Sequence, residues 1–147
     1  MSLCHRHLRR LMLLGATFLF LASCAGSGVA ATDLKTVLTI RNDSSEPLKC
    51  VILYGHWITT DIANIAPGQA TGVDIMRAAK DGALYIPRFD GRHMMIERIA
   101  CGRVDTWWES NGDIPLLPLR ETAVAVSETR CRLATRADCS VPQAAGQ

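Results

Sequence analysis

The segment LKCVILYGHWITT, residues 48–60, is the most β-prone stretch of the chain because branched and aromatic residues dominate it. Alternate side chains of a strand point to opposite faces. Here both faces are largely apolar, and Lys49 is the one charged residue among them. A strand that is apolar on both faces is typical of the centre of a sheet. We therefore predict a central strand over residues 48–60, with a bend at Gly55.

Short alternating segments continue this pattern on both sides and are bounded by turn residues. The clearest turn signals are Pro-Gly at 67–68 and Asp-Gly at 90–91. Residues 77–82 fit one helical turn or a loop. Residues 114–119 contain two prolines, which favour a sheet edge or an irregular crossing. The predicted strands are residues 36–42, 61–66, 70–76, 83–89, 92–100, 103–109 and 121–133.

Seven to nine short strands of this kind predict an all-β fold. Turns at intervals of about 8–12 residues are typical of an antiparallel β-sandwich or a Greek-key barrel. We place this domain at residues 36–134. Residues 135–147 are small and polar, and we expect them to form a loose tail outside Cys139.

The first 24 residues have the order of an export signal. Arg6, Arg9 and Arg10 precede an apolar run over residues 11–22, which is followed by small residues. A run of 12 residues fits the apolar core of a signal peptide and is shorter than the ~20 residues that a membrane-spanning helix needs.

Two processing sites compete at the end of this signal. The sequence Leu-Ala-Ser-Cys at 21–24 resembles a bacterial lipobox, which implies a lipid on Cys24 and a tether over residues 25–35. Since Ala25 follows Cys24, the resemblance to lipoproteins implies, in a Gram-negative cell, sorting to the periplasmic side of the outer membrane. The alternative site, Val-Ala-Ala at 29–31, would release a chain beginning at Thr32 into the periplasm or the medium.

The basic character of the whole chain resides in the signal. Of 16 basic residues, three precede Cys24, whereas all 14 acidic residues follow it, so 13 against 14 leaves a mature net charge of −1. This balance argues against nucleic acid as a partner and against a polybasic membrane patch. We expect membrane attachment only through an N-terminal lipid.

Four of the six cysteines follow the signal, an even number that is typical of disulfides in an oxidising compartment. Three pairings are possible, and we favour Cys50–Cys101 and Cys131–Cys139. The first pair would join two distant strands, and the second would attach the tail to the last strand. A four-cysteine zinc site is the alternative, but the chain contains no Cys-x-x-Cys pair.

Catalytic signatures are absent from the sequence. Only His56 and His93 follow the signal, and no Gly-x-Ser-x-Gly, His-Glu-x-x-His or phosphate-loop motif occurs. His93 and Glu97 would be about 13 Å apart on an extended strand, too far to share one ion. We expect a protein that is not an enzyme and has no catalytic residue, cofactor or metal.

Trp107 and Trp108 are the strongest candidates for ligand binding. On the predicted strand 103–109, one ring would enter the core and the other would face outward. The outward ring could stack on a sugar or hold a protein partner. In the simpler alternative, the crossing over residues 114–119 covers that ring. The acidic trio Asp105, Glu109 and Asp113 lacks the dense spacing of a calcium loop.

Three classes of function remain open. The first, which we expect, is a non-catalytic envelope protein, anchored as a lipoprotein, that presents a disulfide-bonded β domain to a protein partner. The second is a small module that binds cell-wall glycan or another ligand through an exposed tryptophan. The third is a hydrolase or metal protein that uses His56 or His93.

Overall fold

Nine strands and three short helices form in a computed structural model that describes residues 32–141, apart from the side chain of His56. The predicted all-β class is confirmed. The export signal, Cys24, both processing sites and residues 142–147 lie outside the described residues. No helix in the described part is long and apolar enough to cross a membrane. The strands are β1 (Leu34–Asn42), β2 (Leu48–Tyr54), β3 (Thr59–Ile65), β4 (Ala70–Arg77), β5 (Leu84–Pro87), β6 (His93–Arg103), β7 (Gly112–Asp113), β8 (Val126–Leu133) and β9 (Ala137–Ser140).

The stretch 48–60 supplies two strands instead of one. β2 ends at Tyr54, and a 3-10 helix over Gly55–Trp57 reverses the chain into β3. The backbone N–H of Tyr54 donates to the carbonyl of Ile58 at 2.8 Å, which closes this reversal. β2 does lie inside the sheet, between β3 and β6. The bend expected at Gly55 is therefore a complete turn.

The strands form one sheet in the order β3-β2-β6-β5-β4-β1-β8-β9, with β7 also paired to β6. β1 and β8 are parallel, with Val37 opposite Val126, so the sheet is mixed. This finding corrects the expectation of a wholly antiparallel arrangement.

The docking of α2 (Leu117–Glu121) explains the parallel pair. The Arg77 Nε donates to the carbonyl of Arg120 at 2.9 Å, which holds the end of α2 against the end of β4. Leu34, the first residue of β1, lies opposite Arg77. The chain therefore leaves α2 at the end of the sheet where β1 begins, and β8 runs in the same direction as β1.

Three other predictions are corrected in the second half of the chain. The strand predicted over residues 103–109 is wrong, because β6 ends at Arg103 and a turn leads into the helix α1 (Trp107–Ser110). The last long strand begins at Val126, since α2 and residues 122–125 precede it. The tail expected to be loose contains β9, which pairs with β8.

Both disulfides join residues directly opposite one another on neighbouring strands. Cys50–Cys101 links β2 to β6, and Cys131–Cys139 links β8 to β9, the two pairs that the sequence favours. The sulfurs of Cys101, Cys131 and Cys139 lie within 4.8 Å of one another. The two bridges therefore meet inside one core, whose large and fully buried side chains include Leu38, Ile40, Leu48, Ile75, Leu84, Ile99 and Leu119.

β6 connects two groups of strands. Its residues 93–95 pair with β5, whereas residues 96–103 pair with β2. The register slips by one residue within the part paired to β2, where Leu53 lies opposite Arg98 and Tyr54 opposite Ile96. Such a bulge bends a strand, and it lets both Ile96 and Ile99 enter the core.

Candidate functional site

The chain turns sharply after β6 and forms a segment that we call the Trp corner, residues 106–111. The carbonyl of Thr106 accepts hydrogen bonds from the backbone N–H groups of Glu109 and Ser110, at 3.1 and 3.0 Å. The Ser110 hydroxyl donates to the same carbonyl at 2.8 Å and accepts from the N–H of Arg103 at 2.7 Å. A single helical turn is not stable alone, and the hydrogen bond from Arg103, the last residue of β6, holds this turn against the strand.

Trp107 faces inward and is 7% exposed. Its ring packs in a small apolar cluster with Val51, Leu53 and Ala100, side chains of β2 and β6. The indole Nε1–H donates to the carbonyl of Lys49 at 3.0 Å. Buried tryptophans need such an acceptor, and this one ties the corner to β2.

Trp108 faces solvent and is 76% exposed. The ring meets that of Trp107 edge to face, with centroids 4.9 Å apart and planes at 84°. The predicted split between an inward and an outward tryptophan therefore holds, although it arises on a helix, where neighbouring residues point about 100° apart. The crossing over residues 114–119 does not cover the outer ring.

The side chain of Asn111 stabilises the Trp corner through hydrogen bonds to its backbone. Its buried amide donates to the carbonyls of Trp107 and Trp108, at 2.9 and 3.0 Å. Its side-chain oxygen accepts a hydrogen bond from Arg98, which also forms an ion pair with Asp113. The carbonyl end of α1 and a surface arginine are thereby joined through one amide.

A second ion pair lies at the end of β6 beside the corner. Arg103 donates to both carboxylate oxygens of Glu46, at 2.8 and 3.3 Å. The hydrogen bond and the positive charge of Arg103 lower the pKa of Glu46, and Glu46 raises the pKa of Arg103 for the same reasons. Together with exposed Glu109 on α1, these side chains place charges of both signs around the Trp corner.

A shallow cleft of about 200 Å³ lies beside Arg98, the residue that donates to Asn111. Glu97, Arg98, Asp113 and Arg120 supply its charged lining, and Leu116 is part of its apolar floor. Ligand pockets for small organic molecules are usually ~300 Å³ or more. This cleft suits a single protruding side chain or one sugar unit better than a whole cofactor.

His93 lies far from the Trp corner, at the opposite end of β6. It is exposed, and its ring stacks on that of Tyr85 at 3.9 Å with planes at 13°. The Tyr85 hydroxyl donates to Asp33, whose other carboxylate oxygen accepts from the N–H of Ala79 at 3.0 Å. The Tyr85 hydrogen bond is the main cause that lowers the pKa of Asp33, and Asp33 raises the pKa of Tyr85.

Sequence reasoning found some of these residues and missed others. Trp107 and Trp108 are where an inward and an outward ring were expected, and Asp113 pairs with Arg98. The partner that sequence reasoning missed is Asn111, which follows α1 with an extended backbone (φ −69°, ψ 146°) and not in the left-handed conformation for which asparagine is a known end signal. The side chain of His56 lies outside the described residues.

Among the described side chains of residues 32–141, histidine and acidic groups do not form a cluster of three or more ligand atoms. In residues 32–141, the ligand atoms that come together in threes are the sulfurs of Cys101, Cys131 and Cys139. These sulfurs are bonded in disulfides. The Trp corner offers stacking, apolar contact and ion pairing, which are interactions of binding.

No family model matches the chain, and no curated protein matches it in sequence. One similar solved structure is the NMR structure of a protein from Eubacterium rectale. It is 8% identical, has a TM-score of 0.42, and the match covers 77% of this chain and 93% of that chain.

Proposed function

We propose that this protein is an exported, non-catalytic envelope protein whose disulfide-bonded β domain binds a protein partner through the Trp corner. The observation that carries the proposal is Trp108, a large ring that is 76% exposed yet held by a rigid base. Tryptophan is among the residues that contribute most to protein interfaces, where charged groups form the rim. Arg98, Arg103 and Glu109 supply such a rim.

Rigidity supports this use of Trp108. Trp107 fixes the helix to β2, and Asn111 satisfies the carbonyl groups of both tryptophans. A side chain on a backbone that is already fixed loses less conformational freedom when a partner covers it. An exposed aromatic side chain with such support is more useful for binding than one on a free loop.

The proposal extends to processing and architecture. Export by the N-terminal signal, with a lipid on Cys24 and residence at the periplasmic side of the outer membrane, is compatible with two disulfides. We further propose that the two strand groups joined by β6 are the layers of a sandwich. The proximity of the Cys101 sulfur to those of Cys131 and Cys139, within 4.8 Å, supports facing layers because the two bridges belong to different strand groups.

A cell-wall glycan is the second candidate partner. The flat exposed face of Trp108 favours it, because aromatic rings stack on the apolar faces of sugars, and the neighbouring cleft offers polar groups of both signs.

The test compares Trp108→Ala with Trp57→Ala. Trp57 is a matched control because it is exposed too, at 89%, but lies on the turn after β2. We expect the native chain to capture a protein from envelope extract. The yield of that protein should be 10-fold lower with Trp108→Ala and unchanged with Trp57→Ala. Tryptophan quenching by cell-wall fragments, abolished in Trp108→Ala, would instead favour the glycan. Equal capture by both variants would contradict the use of Trp108.

A further inference from the structure

The hairpin between β5 and β6 carries the most exposed aromatic side chain among residues 32–141. Phe89 is 99% exposed at its tip. The backbone N–H of Arg88 donates to the carbonyl of Arg92 at 2.8 Å, and the N–H of Gly91 donates to the carbonyl of Arg88 at 3.1 Å. Gly91 has a φ of 76°, so Phe89, Asp90 and Gly91 form a three-residue turn of a common hairpin type.

Two arginines flank the exposed ring. Asp90 pairs with Arg92 at 2.8 Å and with Arg88 at 3.5 Å, and the hairpin tip keeps one net positive charge. An aromatic ring between arginines fits a membrane–water interface, because the ring enters the acyl boundary while arginines remain with anionic headgroups.

Asp33, the residue directly before β1, is attached to this same hairpin. Asp33 is held by the Tyr85 hydroxyl on β5, and the Tyr85 ring stacks on His93, the first residue of β6. Eight residues separate Cys24 from Asp33, a segment that spans about 30 Å when fully extended. From Tyr85 to Phe89 the chain extends for about 14 Å.

We infer that, when Cys24 carries a lipid, the hairpin tip 88–92 docks on the bilayer that holds this lipid, with Phe89 at the acyl boundary and Arg88 and Arg92 among anionic headgroups. The inference rests on the lipid anchor of the proposed function. The lipid supplies the affinity, and the hairpin tip fixes the orientation of the domain.

This orientation would place the Trp corner away from the membrane. The 11 residues of β6 run from His93 beside the hairpin to Arg103 beside α1. A strand of that length spans about 35 Å. The bilayer and the partner would then occupy opposite ends of one strand.

Hydroxyl-radical footprinting of the mature protein on vesicles of phosphatidylethanolamine and phosphatidylglycerol tests the inference. The comparison sample is a chain that begins at Thr32 and lacks the lipid. We expect modification of Phe89 to fall at least threefold in the lipidated protein on vesicles, while modification of Trp108 stays unchanged as the internal control. Insertion of a 20-residue Gly/Ser segment between Ala31 and Thr32 should restore most of the modification of Phe89.

The possible failures are distinguishable. An intact mass without diacylglycerol would overturn the anchor, and with it the inference, but would leave binding at Trp108 standing. A correct lipid mass with equal modification of Phe89 in both samples would overturn the docking alone. Protection of Phe89 only after envelope proteins are added would also overturn it, because a protein would then be the occupant.

Discussion

The two ends of β6 both present a large exposed aromatic side chain, but different interactions hold them. Phe89 precedes the strand on a turn whose hydrogen bonds join residues three or four positions apart. Trp108 follows the strand on a corner whose inner ring, Trp107, bonds to Lys49, 58 positions away. Hydrogen bonds between residues close in sequence form the Phe89 end, whereas the Trp108 end depends on a contact between distant segments. Substitutions that remove tertiary contacts should therefore disturb the end of β6 near Trp108 far more than the end near Phe89.

The largest expected effect comes from the disulfide beside the Trp corner. Replacing Cys50 and Cys101 with alanine should lower the free energy of unfolding by about 4 kcal/mol, because a long loop of the unfolded chain is released. The same change at Cys131 and Cys139 should cost about 2.5 kcal/mol, since that loop is short. Urea unfolding measures both. A larger loss for the second pair would refute this ordering.

The next largest effect is a difference in stability between alanine substitutions of the two tryptophans in the Trp corner. Trp107→Ala should cost about 3 kcal/mol, because it removes a buried ring and leaves a cavity under α1. Trp108→Ala should change stability by no more than about 0.5 kcal/mol, as is usual for exposed positions. Phe89→Ala provides the control from the other end and should resemble Trp108→Ala. Comparable losses for Trp107 and Trp108 would mean that the corner is not held through Trp107.

The smallest effect lies at the hairpin end and appears as a change in titration. Since Asp33 accepts the Tyr85 hydrogen bond, the pKa of Tyr85 is raised, and Asp33→Asn should lower it toward its ordinary value of about 10. NMR titration of the Tyr85 ring, assigned by its loss in Tyr85→Phe, measures this change. An unchanged pKa in Asp33→Asn would show that the hydrogen bond does not form in solution.

The linked pH dependence has a defined sign. The raised pKa of Tyr85 contributes stability that is present below its unfolded value of about 10 and is lost as the pH rises through the folded value. The lowered pKa of Asp33 contributes stability that is present above about 4 and is lost as the pH falls through the folded value. Both contributions should be small because Asp33 is exposed. Asp33→Asn should remove the Asp33 contribution and reduce that of Tyr85, whose pKa burial also raises.

The contrast between the two ends also explains which predictions succeed. The Asp-Gly pair at 90–91 predicts the hairpin correctly, because turn chemistry acts within four residues. The alternation in residues 103–109 predicts a strand, but the bonds of Ser110 and Asn111 to their own turn hold these residues as a helix. Short polar side chains that bond to the nearby backbone compete with sheet pairing, and periodicity does not detect them.

By itself the sequence determines the β-rich composition, the main turns, the split between an inward and an outward tryptophan, and a set of cysteines for which the observed pairing is favoured. Each of these follows from side-chain type and short-range alternation. Only the tertiary structure decides that β8 runs parallel to β1, that β9 joins the sheet, and that Asn111 links Arg98 to the Trp corner. The physical reason is that these features depend on contacts between distant segments, such as α2 against Arg77, whose geometry exists only after the core has packed.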